Sequence, residues 1–302
     1  MTSTNATDRP ARLAVGVLGV GRVGAALGAA LALAGHHVVA ASGVSDASRR
    51  RADALLPDVP LLSPPDVAAR AELLLVAVPD DVLPALVDGL ATTGALRPGQ
   101  LVVHTSGRYG VRVLDPATAI GCLPLALHPV MTFTGTSTDV ARLTGCSFGI
   151  TAPEPLRPVA EALVVEMGGE PQWVHEELRP LYHAALAQGA NHLVTLVAES
   201  MDLLRRVGVE EPGRMLGPLL GAALDNALRS GDLALTGPVS RGDAGTVEAH
   251  VRELAAVSPQ SVAAYVAMAR LTAVRALAAG RLRPEAAEAL LDVLADTNRE
   301  GS

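Results

Sequence analysis

The feature that most constrains this chain is a glycine pattern placed between two opposite kinds of segment. Residues 12–18 (Arg-Leu-Ala-Val-Gly-Val-Leu) are a short apolar run, which reads as a buried parallel strand. Gly19-Val20-Gly21-Arg22-Val23-Gly24 follows directly, and residues 22–34 then read as a helix stopped at Gly35. A G-x-G-x-x-G pattern alone is weak, but between a strand and a helix it gains meaning. Gly19 allows a tight turn, Gly21 lets backbone approach a pyrophosphate, and Gly24 lets helix and strand pack closely. The helix start offers unpaired N–H groups to phosphates. Gly19, Val20, Gly21, Arg22, Val23 and Gly24 are therefore expected to hold a dinucleotide.

The rest of the first half repeats the alternation. Strands are expected at 37–42, 72–78, 101–105, 123–128, 148–151 and 172–174, with helices at 46–56 and 156–168. That alternation predicts a doubly wound parallel sheet of the Rossmann type. From about residue 175 the pattern becomes helical only: 177–207, 213–230, 244–256, 259–279 and 284–298. The expected organisation is a disordered polar segment at 1–10, an α/β dinucleotide-binding domain at 11–174, and an all-α domain at 175–302 for substrate binding and dimerisation.

Composition excludes several classes. The net charge is -7 and no basic run exceeds Arg49-Arg50-Arg51, so nucleic acid is not expected as a partner. No run of about 18 apolar residues occurs, so no membrane span is expected. Cys122 and Cys146 are far apart and fit neither a disulfide framework nor a metal knuckle. A reducing cytoplasm is the expected compartment and no metal site is anticipated. The chain has no lysine. A proton donor near neutral pH must then be His, Tyr, Cys or a carboxyl group.

The second strand ends Ala41-Ser42-Gly43, with no acid to hold a ribose 2′-hydroxyl before Asp46. Ser42, Ser45 and Arg49 instead suit a 2′-phosphate, which favours NADP(H) over NAD(H). Val78-Pro79 closes the third strand at the cofactor crevice. The fourth strand runs into Ser106, which suits a substrate contact or a helix cap. The fifth ends at His128, a proton donor or a core histidine. On the long helix, His183 and Asn191 share one side, roughly 12 Å apart. They could border a cleft or bond neighbouring helices. Arg241, in the loop 236–243, could grip a substrate carboxylate or pair with Asp243.

Several motifs occur in order: Gly19–Gly24, Val78-Pro79-Asp80-Asp81, His104-Thr105-Ser106-Gly107, Leu127-His128-Pro129, Tyr182-His183-Ala184-Ala185, Gly189-Ala190-Asn191-His192 and Arg241-Gly242-Asp243. Over residues 11–285 the chain resembles a bacterial family assigned as NADP oxidoreductases, with an N-terminal Rossmann-like domain and a C-terminal helical domain of unknown function. More distantly it resembles the 6-phosphogluconate dehydrogenase-like enzymes. Those include ketopantoate reductase, 3-hydroxyisobutyrate dehydrogenase, pyrroline-5-carboxylate reductase and prephenate dehydrogenase. The resemblance implies hydride transfer to a small carbonyl compound, best a 2-oxo acid such as ketopantoate. Imine reduction and prephenate-type oxidation are the nearest alternatives. It also implies a homodimer. Asn191 matches an asparagine of the hydroxyacid members, but their lysine falls at Ala187, leaving His128 or His183 as the acid. The missing lysine equally fits an inactive NADP-binding sensor.

Overall fold

A computed structural model of the chain describes residues 12–296. The segment 1–10, expected to be disordered, lies outside the described residues. Seven strands form one sheet: β1 (Ala14–Leu18), β2 (His37–Ser42), β3 (Leu73–Val76), β4 (Leu101–His104), β5 (Leu123–Pro129), β6 (Ser147–Thr151) and β7 (Glu170–Trp173). Their spatial order is β2-β1-β3-β4-β5-β6-β7. All neighbours are parallel except β5 and β6, which pair antiparallel with His128 opposite Gly149. This departs from the all-parallel expectation. Between β5 and β6 the chain makes only the six-residue helix Ser137–Arg142, so it turns back without a full helical crossover.

The helices are α1 (Arg22–Leu33), α2 (Asp46–Leu55), α3 (Pro64–Arg70), α4 (Leu83–Thr92), α5 (Asp115–Thr118), α6 (Ser137–Arg142), α7 (Arg157–Glu166), α8 (Arg179–Arg206), α9 (Pro212–Ser230), α10 (Pro238–Arg241), α11 (Ala244–Val257), α12 (Pro259–Ala278) and α13 (Pro284–Asp296). Strand side chains alternate between two cores. Val15, Val17, Leu75, Val103 and Leu127 pack toward α1 and α7. Leu18, Leu74, Val76 and Val102 face the other way, with buried residues of α3 and α4. Burial on both faces explains why these strands read as continuous apolar runs.

The chain divides into a first unit ending at Gly189 and a second beginning at Ala190. The sequence pattern puts that change near 174, where strands cease. The boundary falls later because the first turns of α8 carry Arg179 and Tyr182, which bond to the sheet of the first unit. The second unit has its own core of Val247, Val266, Ala273 and Leu290 from α11, α12 and α13. Among the described residues, only α12 is long and apolar enough to cross a membrane. It carries Arg270 and Arg275, and Val266, Ala269, Ala273 and Ala276 are packed in that core.

Candidate active site

The strand order reverses direction at β1, since β2 lies on one side of it and β3 on the other. Ligands of open α/β sheets bind at such a switch point, beyond the carboxyl ends of the strands. The glycine turn sits there. Gly19 and Val20 donate backbone N–H bonds to the Ser42 carbonyl at 3.1 and 3.0 Å. Gly19 has φ +88°, and a β-carbon on it would lie 2.6 Å from the Ala77 carbonyl oxygen. A β-carbon on Gly24 would collide with the Gly19 carbonyl and come within 2.9 Å of Ala77 Cβ. The protein itself thus requires both outer glycines. Gly21 differs: a β-carbon there would meet nothing within 4 Å. The space above Gly21 is what a close-approaching pyrophosphate needs, and the first turn of α1 holds no acid. The residues present therefore fit a dinucleotide.

The other expected cofactor residues flank this turn. Val78 and Pro79 follow β3, and the Pro79 carbonyl accepts from Val82 and Leu83 as α4 begins. Ser45 caps α2, its hydroxyl accepting from Ser48 N–H at 3.1 Å. Arg49 is exposed and leans toward Asp46, 3.9 Å away.

A cluster of polar side chains forms where β4, β5 and α8 meet within the first unit. His128 Nδ1 lies 2.8 Å from the Tyr182 hydroxyl. The His183 ring stands edge-on to His128, with centroids 6.1 Å apart. Gly107 closes the group: a β-carbon on it would be 2.8 Å from His183 Cδ2 and 2.9 Å from His128 Nε2. Gly149 has the same function on the far side, where a β-carbon would strike the Tyr182 hydroxyl. Ser106 is buried and its hydroxyl accepts backbone bonds from Arg108 and Tyr109, both at 3.2 Å. It serves as a turn cap, and its hydroxyl proton remains a donor. His104 is structural. Its Nδ1 accepts from Ser106 N–H, so Nε2 carries the proton to the Gly110 carbonyl at 2.8 Å.

Behind this group lies Arg179, the first residue of α8, with no solvent exposure. It donates to Thr151 Oγ1 (2.8 Å) and to the carbonyls of Ser106 (3.3 Å), Ala126 (3.1 Å) and Gly149 (2.9 Å). None of these partners is a carboxylate. Burial, offset in part by Tyr182 and Glu176, lowers the guanidinium pKa to about 10. Burial, then the charge of Arg179, then His183 push His128 down to about 4. His128 is therefore neutral at physiological pH. Burial raises the Tyr182 pKa, against the pull of Arg179, so the phenol keeps its proton.

Sequence reasoning found His128 and His183, which meet here, but gave no role to Tyr182 or Arg179. Asn191 and Arg241 belong to the second unit: Asn191 is exposed on α8 and Arg241 exposed at the end of α10. Asp243 caps α11, accepting from Thr246 N–H at 3.1 Å. Among the described residues no three of His, Cys, Asp or Glu gather as metal ligands.

This architecture agrees with two family models. A Rossmann-like domain model matches residues 1–129, and the model of a domain of unknown function, DUF2520, matches 146–272. The chain joins a Rossmann-like domain to a DUF2520 domain. The DUF2520 match begins at Cys146, so it takes in β6, β7 and the Arg179–Tyr182 turn as well as most of the helical unit. No curated protein matches the sequence. Among solved structures, the chain is similar to the Bacteroides fragilis protein BF3122, assigned as an NADP oxidoreductase (20% identity, TM-score 0.73, 87% of this chain and 98% of that one). Protein TM1727 of Thermotoga maritima is similar at 21% identity and TM-score 0.64, over 87% and 98% of the two chains. Plasmodium falciparum pyrroline carboxylate reductase, solved with NADP bound, follows at 12% identity and TM-score 0.54, again over 87% and 98%. At these identities the likeness is one of fold.

Proposed function

We propose that this Rossmann–DUF2520 protein is an NADP(H)-dependent oxidoreductase that reduces a small carbonyl compound. The observation that carries the reading is the 2.8 Å contact of His128 Nδ1 with the Tyr182 hydroxyl, on the strand-end edge that also bears the glycine turn. When bound, a reduced nicotinamide supplies hydride to the carbonyl carbon. The chain must then deliver a proton to the carbonyl oxygen. Neutral His128 donates from Nε2 while Nδ1 takes the Tyr182 proton. The Arg179 guanidinium carbon, 5.7 Å from the Tyr182 ring centre, favours the phenolate so formed. Ser106 and His183 orient the substrate. The acid-free end of β2, with Ser42, Ser45 and Arg49, supports NADP(H) over NAD(H).

A 2-oxo acid is the favoured substrate class, with ketopantoate the first compound to test. Imines are the next class to test. NADPH absorbance should fall with a member of this panel, and Tyr182→Phe should abolish most of that rate. Tight NADPH binding without turnover on any member would instead favour a nucleotide sensor.

The same reading includes a second copy as partner. Met215, Leu219, Leu224 and Leu228 of α9 are exposed, and an apolar groove of about 470 Å³ runs between α8, α11 and α12. Sedimentation at micromolar concentration should give twice the chain mass.

A further inference from the structure

Three arginines follow one another on α2. Arg49 and Arg50 are exposed, whereas Arg51 is half-buried. Arg51 reaches Gly135 in the β5–α6 connection. A β-carbon on Gly135 would lie 2.6 Å from Arg51 Nε and 2.9 Å from Arg22 Cγ. Two cationic side chains, one from α2 and one from the first position of α1, therefore converge over a glycine. Gly135 has φ +84° and offers no side chain to fill the space.

The turn beneath them is fixed. Asp139 is fully buried and accepts from Thr134 N–H (2.9 Å), Gly135 N–H (2.6 Å) and the Thr134 hydroxyl (2.9 Å). These bonds, against the opposing effect of burial, hold its pKa below the ordinary carboxylate value. That carboxylate is occupied by the turn. Some surface arginines meet acids, as Arg112 meets Glu177 at 2.6 Å and Arg275 meets Asp232 at 2.6 Å. Arg22 and Arg51 make no such pair among the described residues. With no acid beside either side chain, an anion is the partner that Arg51 and Arg22 lack, and a phosphate supplies one.

We propose that Arg51 and Arg22 form a clamp on the bridging pyrophosphate of the dinucleotide. This rests on the cofactor reading above and deepens it. The clamp adjoins Gly21, where the backbone is open to a phosphate. The 2′-phosphate belongs elsewhere, beside Ser42, Ser45 and Arg49 at the end of β2. The two positions make opposite demands on nucleotide selectivity. A pyrophosphate clamp acts equally on NADPH and NADH, whereas a 2′-phosphate contact acts on NADPH alone.

The test is calorimetric titration of the full chain with NADPH and with NADH, for wild type, R51A, R22A and R49A. Melting temperature confirms that each variant is folded. R51A and R22A should each weaken both nucleotides by a similar factor, about tenfold or more for a lost charge-assisted bond. R49A should weaken NADPH alone. Wild-type binding with R51A unchanged overturns the clamp, as does an R51A loss confined to NADPH. A wild-type chain that binds neither nucleotide removes the cofactor reading and the clamp with it.

Discussion

Replacing Arg179 by methionine tests whether the site is held from behind by a buried cation. Methionine keeps an unbranched apolar stem but supplies no donor. Four hydrogen bonds from the charged guanidinium are lost, to Thr151 and to the carbonyls of Ser106, Ala126 and Gly149. At about 1.5 kcal/mol for each bond to a charged group, roughly 6 kcal/mol is at stake. Removing a buried charge works the other way. The drop in pKa to about 10 corresponds to about 3 kcal/mol of strain on the charged form, which the substitution relieves. The net loss is about 3 kcal/mol, and the melting temperature should fall by about 10 °C for a unit of this size. Arg179→Lys should recover only part of this, because an ammonium cannot reproduce the planar fork. A second readout separates this from simple packing. The charge of Arg179 is the second cause, after burial, of the low His128 pKa. Ring-proton NMR should show His128 titrating at higher pH in R179M, yet still below the ordinary value, since burial remains. An R179M protein that melts with the wild type, or an unmoved His128, would refute the reasoning.

His104 and His128 both titrate near 4 in the folded protein, burial being the main cause, against about 6.5 when unfolded. The unfolded chain then binds more protons between these values, so stability falls as pH drops from about 6.5 toward 4, by up to about 3 kcal/mol per histidine. Urea midpoints measured across that range should decline, and H104Q should flatten the decline. Tyr182→Phe removes the hydroxyl that meets His128. It should lower kcat by about a hundredfold or more while NADPH affinity stays constant, as measured by steady-state kinetics and titration.

The central strands β1, β3 and β4 were legible because burial on both faces makes each a continuous apolar run. The short helices were not. Helix α3 is only seven residues, and its one signal is a cap: Ser63 accepts from Asp66 N–H across Pro64 and Pro65. The reversal of β6 left no mark in composition, because an antiparallel strand inside a covered sheet is as apolar as a parallel one. At the site, the glycine turn and His128 could be read from strand ends. Tyr182 could not, since its partner lies 54 residues earlier and only the fold joins them. Arg179, before Pro180 at a helix start, looks like an ordinary surface residue; its guanidinium bonds carbonyls of β5, β6 and the turn after β4, which only the fold brings together. Of the three arginines on α2, sequence spacing singled out Arg49, whereas the helix turns Arg51 toward Gly135.

The central claim is that the space above Gly21 exists for a dinucleotide, and Gly21→Ala tests it most directly. The added β-carbon meets no protein atom within 4 Å, and Gly21 has an ordinary φ of -70°. The variant should therefore melt with the wild type. Titration with NADPH should nonetheless show at least tenfold weaker binding, because the methyl group stands where the pyrophosphate must approach. Equal NADPH affinity in the two proteins would contradict the account.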